Sequence, residues 1–248
     1  MSILHLQNVW KRYRQGGQPV EALRGVGLRI QRGSFEALMG PSGSGKTTLL
    51  HLIGGLDRPD EGHIEVDGQN LTALGERERT QFRRRQLGIV FQQFNLIPTL
   101  SARQNIALPG VIDRRSSTWI DRRVDELLNL LGLSARADHR PEAMSGGEQQ
   151  RVAVARAMLF TPKVLLADEP TGNLDSASSE TLWRTLAELG DREGTTVLMV
   201  THEASAVAHC RRAHVLVDGQ VRGQFEVDGY DASGVASRYH ELVGQKGS

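Results

Sequence analysis

Residues Gly40-Pro41-Ser42-Gly43-Ser44-Gly45-Lys46-Thr47 join an apolar run (35–39) to a stretch with helix-like character (48–53). Few features constrain a fold so tightly, because a glycine-rich turn between strand and helix lets successive backbone N–H groups curl round an anion at the helix N-terminus. Lys46 adds a mobile point charge, and Thr47 a hydroxyl suited to Mg²⁺. The pattern implies an α/β fold that cradles a nucleoside triphosphate, with residues 40–47 and the adjoining Thr48 around its phosphates. One such loop implies one site per chain.

The rest of the composition bounds the class of protein. The 248 residues are 39% hydrophobic and 24% charged, which suits a globular chain able to bury a sizeable core. Thirty Lys and Arg against 29 Asp and Glu leave a net charge of +1, so no global field argues for a nucleic-acid partner. The densest cationic cluster, Arg83-Arg84-Arg85, reads as a solvated helix face. A single cysteine, Cys210, excludes an intramolecular disulfide, fits a reducing compartment and offers no metal-ligand spacing. The N-terminus lacks a basic segment followed by a long apolar one, so a cytoplasmic location is expected. No run approaches the roughly 18 apolar residues that cross a bilayer, so a membrane role requires a partner.

Along the chain, residues 3–9 and 23–30 alternate as strands do, and 63–66 before Asp67-Gly68 reads as a hairpin arm. Residues 77–85 and 120–131 have helical spacing, the second stopped by Gly132. Beyond Met144 the pattern predicts helix (149–159), strand (164–167), helix (178–189), strand (196–200), helix (204–210) and strand (214–217), hence a parallel, doubly wound sheet. There is no internal repeat, and the one linker-like stretch is the polar tail after Gly229, whose Tyr230, Tyr239 and Leu242 suit either the core or a partner.

Two further motifs bear on chemistry. Val164-Leu165-Leu166-Ala167 ends in Asp168 and Glu169, and a buried parallel strand delivers its last residues to the edge where ligands bind. There Asp168 suits a Mg²⁺ shell, and Glu169 a water attacking the γ-phosphate. Met144-Ser145-Gly146-Gly147-Glu148-Gln149-Gln150-Arg151 opens a helix with a Ser-Gly-Gly turn, whose free N–H groups and dipole suit an anion.

With this third motif the chain resembles the ATP-binding-cassette ATPases over nearly its whole length, although Met144 and Glu148 stand where Leu and Gln are usual. The resemblance implies that Tyr13, before Gln15-Gly16-Gly17, stacks on adenine. Gln92 is implied to sense Mg²⁺ and link the site to a transmembrane partner. Asp175 would cross a dimer interface, and His202 would contact the γ-phosphate. It further implies a RecA-like P-loop core with an antiparallel β-subdomain (1–93 and 157–228), an inserted α-helical subdomain (94–156) and a tail (229–248). Two copies, or this chain and a paralogous ATPase, would dimerise head to tail around two ATP, with Ser145, Gly146, Gly147 and Glu148 meeting the other protomer's nucleotide. Lys46, Gln92, Glu169 and His202 would serve turnover, and Thr47, Gln92 and Asp168 the metal. The wording of residues 167–176 is most similar to the LolD/MacB-like group, which implies an FtsX-like integral-membrane permease as partner. The apolar segment 94–98 would then adjoin that permease, at the cytoplasmic face of the inner membrane. A soluble ABC ATPase of DNA repair or translation is the other reading, but the second cassette, coiled-coil insertion or basic stripe usual there is absent.

Overall fold

The computed structural model describes residues 1–15 and 18–244; Gly16, Gly17 and residues 245–248 of the tail lie outside the described residues. In chain order the strands are β1 (Ser2–Gln15), β2 (Gln18–Gln31), β3 (Phe35–Met39), β4 (Glu61–Val66), β5 (Gln69–Asn70), β6 (Leu87–Val90), β7 (Val164–Asp168), β8 (Thr196–Val200), β9 (Arg212–Val217) and β10 (Gln220–Glu226). The helices are α1 (Lys46–Ile53), α2 (Glu76–Gln86), α3 (Ala102–Ile112), α4 (Ser117–Leu130), α5 (Gly146–Ala157), α6 (Ser176–Glu193), α7 (Ala204–Val207) and α8 (Ala232–Gly244).

Two sheets result: an antiparallel one ordered β2-β1-β4-β5 and a six-stranded one ordered β10-β9-β3-β8-β7-β6. In the larger sheet β9, β3, β8, β7 and β6 run parallel, while β10 turns back against β9. The expectation of an all-parallel sheet is therefore corrected at this edge. The hairpin turn Asp218-Gly219, with φ of 48° and 76°, brings β10 back antiparallel to β9, a strand the sequence pattern did not predict.

Alternation along the central strands divides the core in two. On β7, Val164 and Leu166 face one cluster and Leu165 and Ala167 the other; on β8, Leu198 and Val200 oppose Val197 and Met199. One face packs on α1 and the antiparallel sheet, the other on helices α3 to α8. Each fully buried Leu contributes about 1.5–3 kcal/mol relative to exposure, and this two-sided burial holds the strand ends in place.

Three elements differ from expectation. α3 was not foreseen: Pro109 lies inside it, and a proline normally ends a helix. Its start is secured by a Ser101–Gln104 capping box, and buried Asn105 ties the preceding loop through Ile97, Leu100 and Ser101. The arginine run is not a solvated face, because Arg84 and Arg85, with Arg115, converge on Asp113 at the end of α3, a carboxylate only 3% exposed. Arg83 donates to the Gly55 carbonyl. Most of the tail is also no linker: α8 buries Val235 and packs Tyr239 and Leu242 on the core, while Tyr230 meets Phe225 edge-on.

Candidate nucleotide-binding site

Four parallel strands bring their C-terminal ends to one edge. The register pairs Leu38 of β3 with Val200 of β8, Val200 with Asp168 of β7, and Ala167 with Val90 of β6. The loops leaving these strands carry residues 40–47, His202, Glu169 and Gln92. One rung of the sheet thus assembles residues spread over some 160 positions of sequence.

The phosphate loop is shaped by its neighbours as well as by its own glycines. Gly45 has φ of 101°, and a Cβ there would lie 2.5 Å from the Ala22 carbonyl oxygen of β2. A side chain would be excluded both by conformation and by contact. Lys46 Nζ donates to the carbonyls of Gly40 and Pro41 at 2.9 and 3.0 Å, folding back over its own loop. Burial pulls the Lys46 pKa down, opposed by the charges of Glu169 and Asp168. The cleft in front has a volume of about 370 Å³. Ser42, Gly43, Gly45, Lys46, Thr47, Thr48 and Glu169 line it, together with Val20, Glu21 and Ala22 of β2. These β2 residues were missed in the sequence, where nothing local signals a contact made by folding the hairpin onto the loop. Ser44 is buried beneath the loop with its hydroxyl unpartnered.

Asp168 and Glu169 meet this cleft differently. Asp168 Oδ1 is buried without a hydrogen-bond partner, and the Thr47 hydroxyl lies close to the same carboxylate. Burial, then the charge of Glu169, pushes the Asp168 pKa up against His51, Thr47 and Lys46. An orphaned carboxylate oxygen beside a hydroxyl is a donor set that fits a hard, oxygen-seeking cation such as Mg²⁺. Among the described residues no group of three His, Cys, Asp or Glu side chains could hold a metal without further ligands. Glu169 has φ of 43°, its N–H donates to the Val200 carbonyl at 2.8 Å, and Oε1 lies 3.0 Å from His202 Nδ1.

Gln92 is held from across the sheet. Its carbonyl accepts from Asn173 Nδ2 at 3.0 Å, and its amide packs so closely on Gly172 that a Cβ there would lie 2.6 Å from Nε2. Buried Gln150 of α5 donates to the Pro170 carbonyl at 2.8 Å, linking the Ser-Gly-Gly helix to the segment leaving Glu169. At the start of that helix the Ser145 hydroxyl accepts from the Glu148 N–H, and Glu148 accepts in return from the Ser145 N–H at 2.8 Å. Arg136 occupies the other Glu148 oxygen at 2.8 Å, so this carboxylate is engaged within its own chain. Asp175 caps α6 through Ser178, against which Gly147 packs.

The chain therefore gathers Lys46, Thr47, Asp168, Glu169 and His202, whereas none of Ser145, Gly146, Gly147, Glu148 or Asp175 lines the cleft. Tyr13 is 41% exposed, with its hydroxyl bonded to Asp57 and close to Thr48, the last residue of the cleft wall on α1. Among the described residues no helix is long and apolar enough to cross a membrane.

Comparison with known proteins agrees with this architecture. The family model described as ABC transporter matches residues 23–172, more than half of the chain. The macrolide export ATP-binding/permease protein MacB of Syntrophobacter fumaroxidans is 46% identical over 89% of the chain, which spans 31% of that longer protein. The lipoprotein-releasing system ATP-binding protein LolD 1 of Rhodopirellula baltica is 42% identical over 91% of the chain and 99% of its own length. Among solved structures, the dimeric post-hydrolysis state of the cassette MJ0796 from Methanocaldococcus jannaschii, bound to ADP and Pi, superposes with a TM-score of 0.83 at 41% identity. It covers 92% of this chain and all of that one. With a RecA-like core, an antiparallel β-subdomain and an inserted helical subdomain around this cleft, the chain belongs to the ABC transporter family, as one of its ATP-binding, ATP-hydrolysing subunits.

Proposed function

We propose that two copies of this chain close head to tail on two ATP molecules, each site using the phosphate loop of one copy and the Ser145 turn of the other. The observation that carries this reading is the separation of the two halves of the site. Lys46 and Glu169 line the cleft, with Asp168 and His202 beside them, while the N-terminus of α5 neither lines it nor bonds to any of these four. That N-terminus offers free N–H groups and a helix dipole to an anion presented by a partner. A two-fold arrangement satisfies both halves at once.

Within each site Lys46 would grip the phosphates, and the Ser42–Thr48 backbone would seat them. Thr47, Asp168 and Gln92 would hold Mg²⁺, which when bound offsets charge on the phosphate oxygens. Glu169 would accept or align the proton of the attacking water, with His202 fixing its carboxylate and reaching the γ-phosphate. Asp175 would cross the interface beside the Ser145-Gly146-Gly147-Glu148 turn, and Tyr13 would carry the base. ATP binding would draw the copies together and phosphate release would part them, moving an integral-membrane permease. The names of the MacB and LolD relatives support a permease of the FtsX-like kind and a place at the cytoplasmic face of the inner membrane. The segment 94–98 and the helical region 94–156 are the proposed coupling surface.

Glu169→Gln tests the chemistry. It keeps shape and loses the base, so turnover should fall by about 10²–10⁴-fold while ATP binding persists and a dimer accumulates in light scattering after size exclusion. Turnover at the wild-type rate would remove Glu169 from this role.

A further inference from the structure

Asp57, in the turn between α1 and β4, belongs to none of the motifs, yet its carboxylate is surrounded by donors. Tyr13 Oη donates to Oδ2 at 3.0 Å, Lys11 Nζ lies 2.9 Å from the same oxygen, and the Arg58 N–H donates to Oδ1 at 2.7 Å. Lys11 is buried in the β1 face, donates to the Arg58 carbonyl at 2.7 Å, and places its ammonium 5.1 Å from the centre of the Tyr13 ring. Burial raises the Asp57 pKa, but the bonds from Lys11, Arg58 N–H and Tyr13 outweigh it and hold the carboxyl below its ordinary range. The brace therefore carries its negative charge throughout the neutral range.

Such an arrangement has a physical effect on an otherwise exposed side chain. A tyrosine standing on a strand at the surface explores several rotamers, and a ligand that packs on it must first fix one. Anchoring the hydroxyl at Asp57, with the Lys11 ammonium over the ring, removes that freedom before any ligand arrives. The ring is then presented next to Thr48, on the wall of the phosphate cleft.

We infer that Asp57 is a positioning residue which, with Lys11, locks Tyr13 as a platform for the flat base of the nucleotide, so that affinity for a base-bearing triphosphate depends on this carboxylate. The inference rests on the reading of Tyr13 as the base-stacking residue. Among the described residues the hydrogen bonds and ion pair of Asp57 go to Tyr13, Arg58 and Lys11 and none to residues 40–47, so it acts on the base end.

The test compares ATP with ribose 5′-triphosphate, which has the phosphates and sugar but no base, as substrates of the full chain. Asp57→Ala should raise KM for ATP about three- to tenfold, the size expected when one side chain must be immobilised on binding. It should leave kcat for ATP and KM for ribose 5′-triphosphate unchanged. Tyr13→Phe keeps the ring and the Asp57–Lys11 pair but loses the anchoring hydroxyl. It should reproduce the ATP effect, and the double variant should be no worse than the worse single one. An unchanged ATP KM in both single variants, or an equal rise for both substrates, overturns the inference. Tyr13→Ala separates the two readings. If it raises KM for ATP while Asp57→Ala and Tyr13→Phe do not, the brace fails alone; if it leaves ATP binding untouched, the stacking role falls and the brace with it.

Discussion

Glu169 occupies the left-handed backbone region, with φ of 43°, although it is neither glycine nor asparagine. Residues held there cost on the order of 1–3 kcal/mol and persist where the surroundings over-determine them. Here the N–H bond to Val200 and the contact with His202 do so, and the result is a carboxylate turned off the end of β7 into the cleft. Gly172 fixes Gln92 by a different means, an absence of atoms. In Gly172→Ala the new methyl would meet the Gln92 amide at 2.6 Å, the far end of an exposed side chain that can swing away. Stability should therefore change by no more than about 0.5 kcal/mol. Displacing that amide should lower kcat on the order of tenfold. Equal thermal unfolding with unequal steady-state turnover is the expected pair of readings, and unaltered turnover would free Gln92 from any dependence on Gly172.

Among the elements, β3 and β9 share the most deeply buried carboxylate–imidazole contact of the fold's described residues, Glu36 Oε2 to His214 Nε2 at 2.6 Å, with both side chains 1% exposed. Burial would raise the Glu36 pKa, but bonds from His214, Ser34 and the Gln31 N–H lower it below its usual 4.5. Since the folded protein binds this proton less tightly than the unfolded chain, the stabilisation is full above the ordinary carboxylate range and fades as pH falls through the lower folded value. Glu36→Gln should cost about 1.5–3 kcal/mol, as for a hydrogen bond to a charged group. At roughly 2–4 °C per kcal/mol for a chain of this size, Tm near neutral pH should drop by about 3–12 °C. The gap to wild type should close below pH 4.5, and a gap that stays constant with pH would contradict an ionised Glu36.

The legibility of the elements follows the same physics. β3, β7 and β8 were readable because each is a short apolar run buried on both faces, and the Asp67-Gly68 turn because both residues have positive φ. α3 was hidden by Pro109, and with it Asp113, so the Arg84–Arg85 pair lacked its visible partner. Of the site's local motifs, Lys46, Thr47, Asp168, Glu169 and His202 could be picked out in the sequence and are brought together by the sheet. The Val20–Ala22 wall and the Asp57 brace could not, because they join segments that only tertiary packing brings together.

For the whole molecule, the order of the large sheet explains why one cleft receives four loops. β3 lies between β9 and β8, so the loops of β3, β8, β7 and β6 adjoin in sequence along one edge, and the helical subdomain docks on the face behind them. Gln150 carries that subdomain's signature helix onto the Pro170 carbonyl, so a shift of α5 is felt next to Glu169. The same layout puts the Ser145 turn outside the lining of its own cleft, and the central claim is that a second copy supplies it. The most direct measurement mixes two inactive variants, Lys46→Ala and Ser145→Arg, and assays ATPase activity against each alone. In a mixed head-to-tail dimer one site joins the intact phosphate loop of one chain to the intact Ser145 turn of the other, so activity should reappear on mixing, up to about half the wild-type rate per mixed dimer if sites act independently. Mixtures as inactive as their parts, with ATP-dependent dimers present, would contradict a site shared between copies.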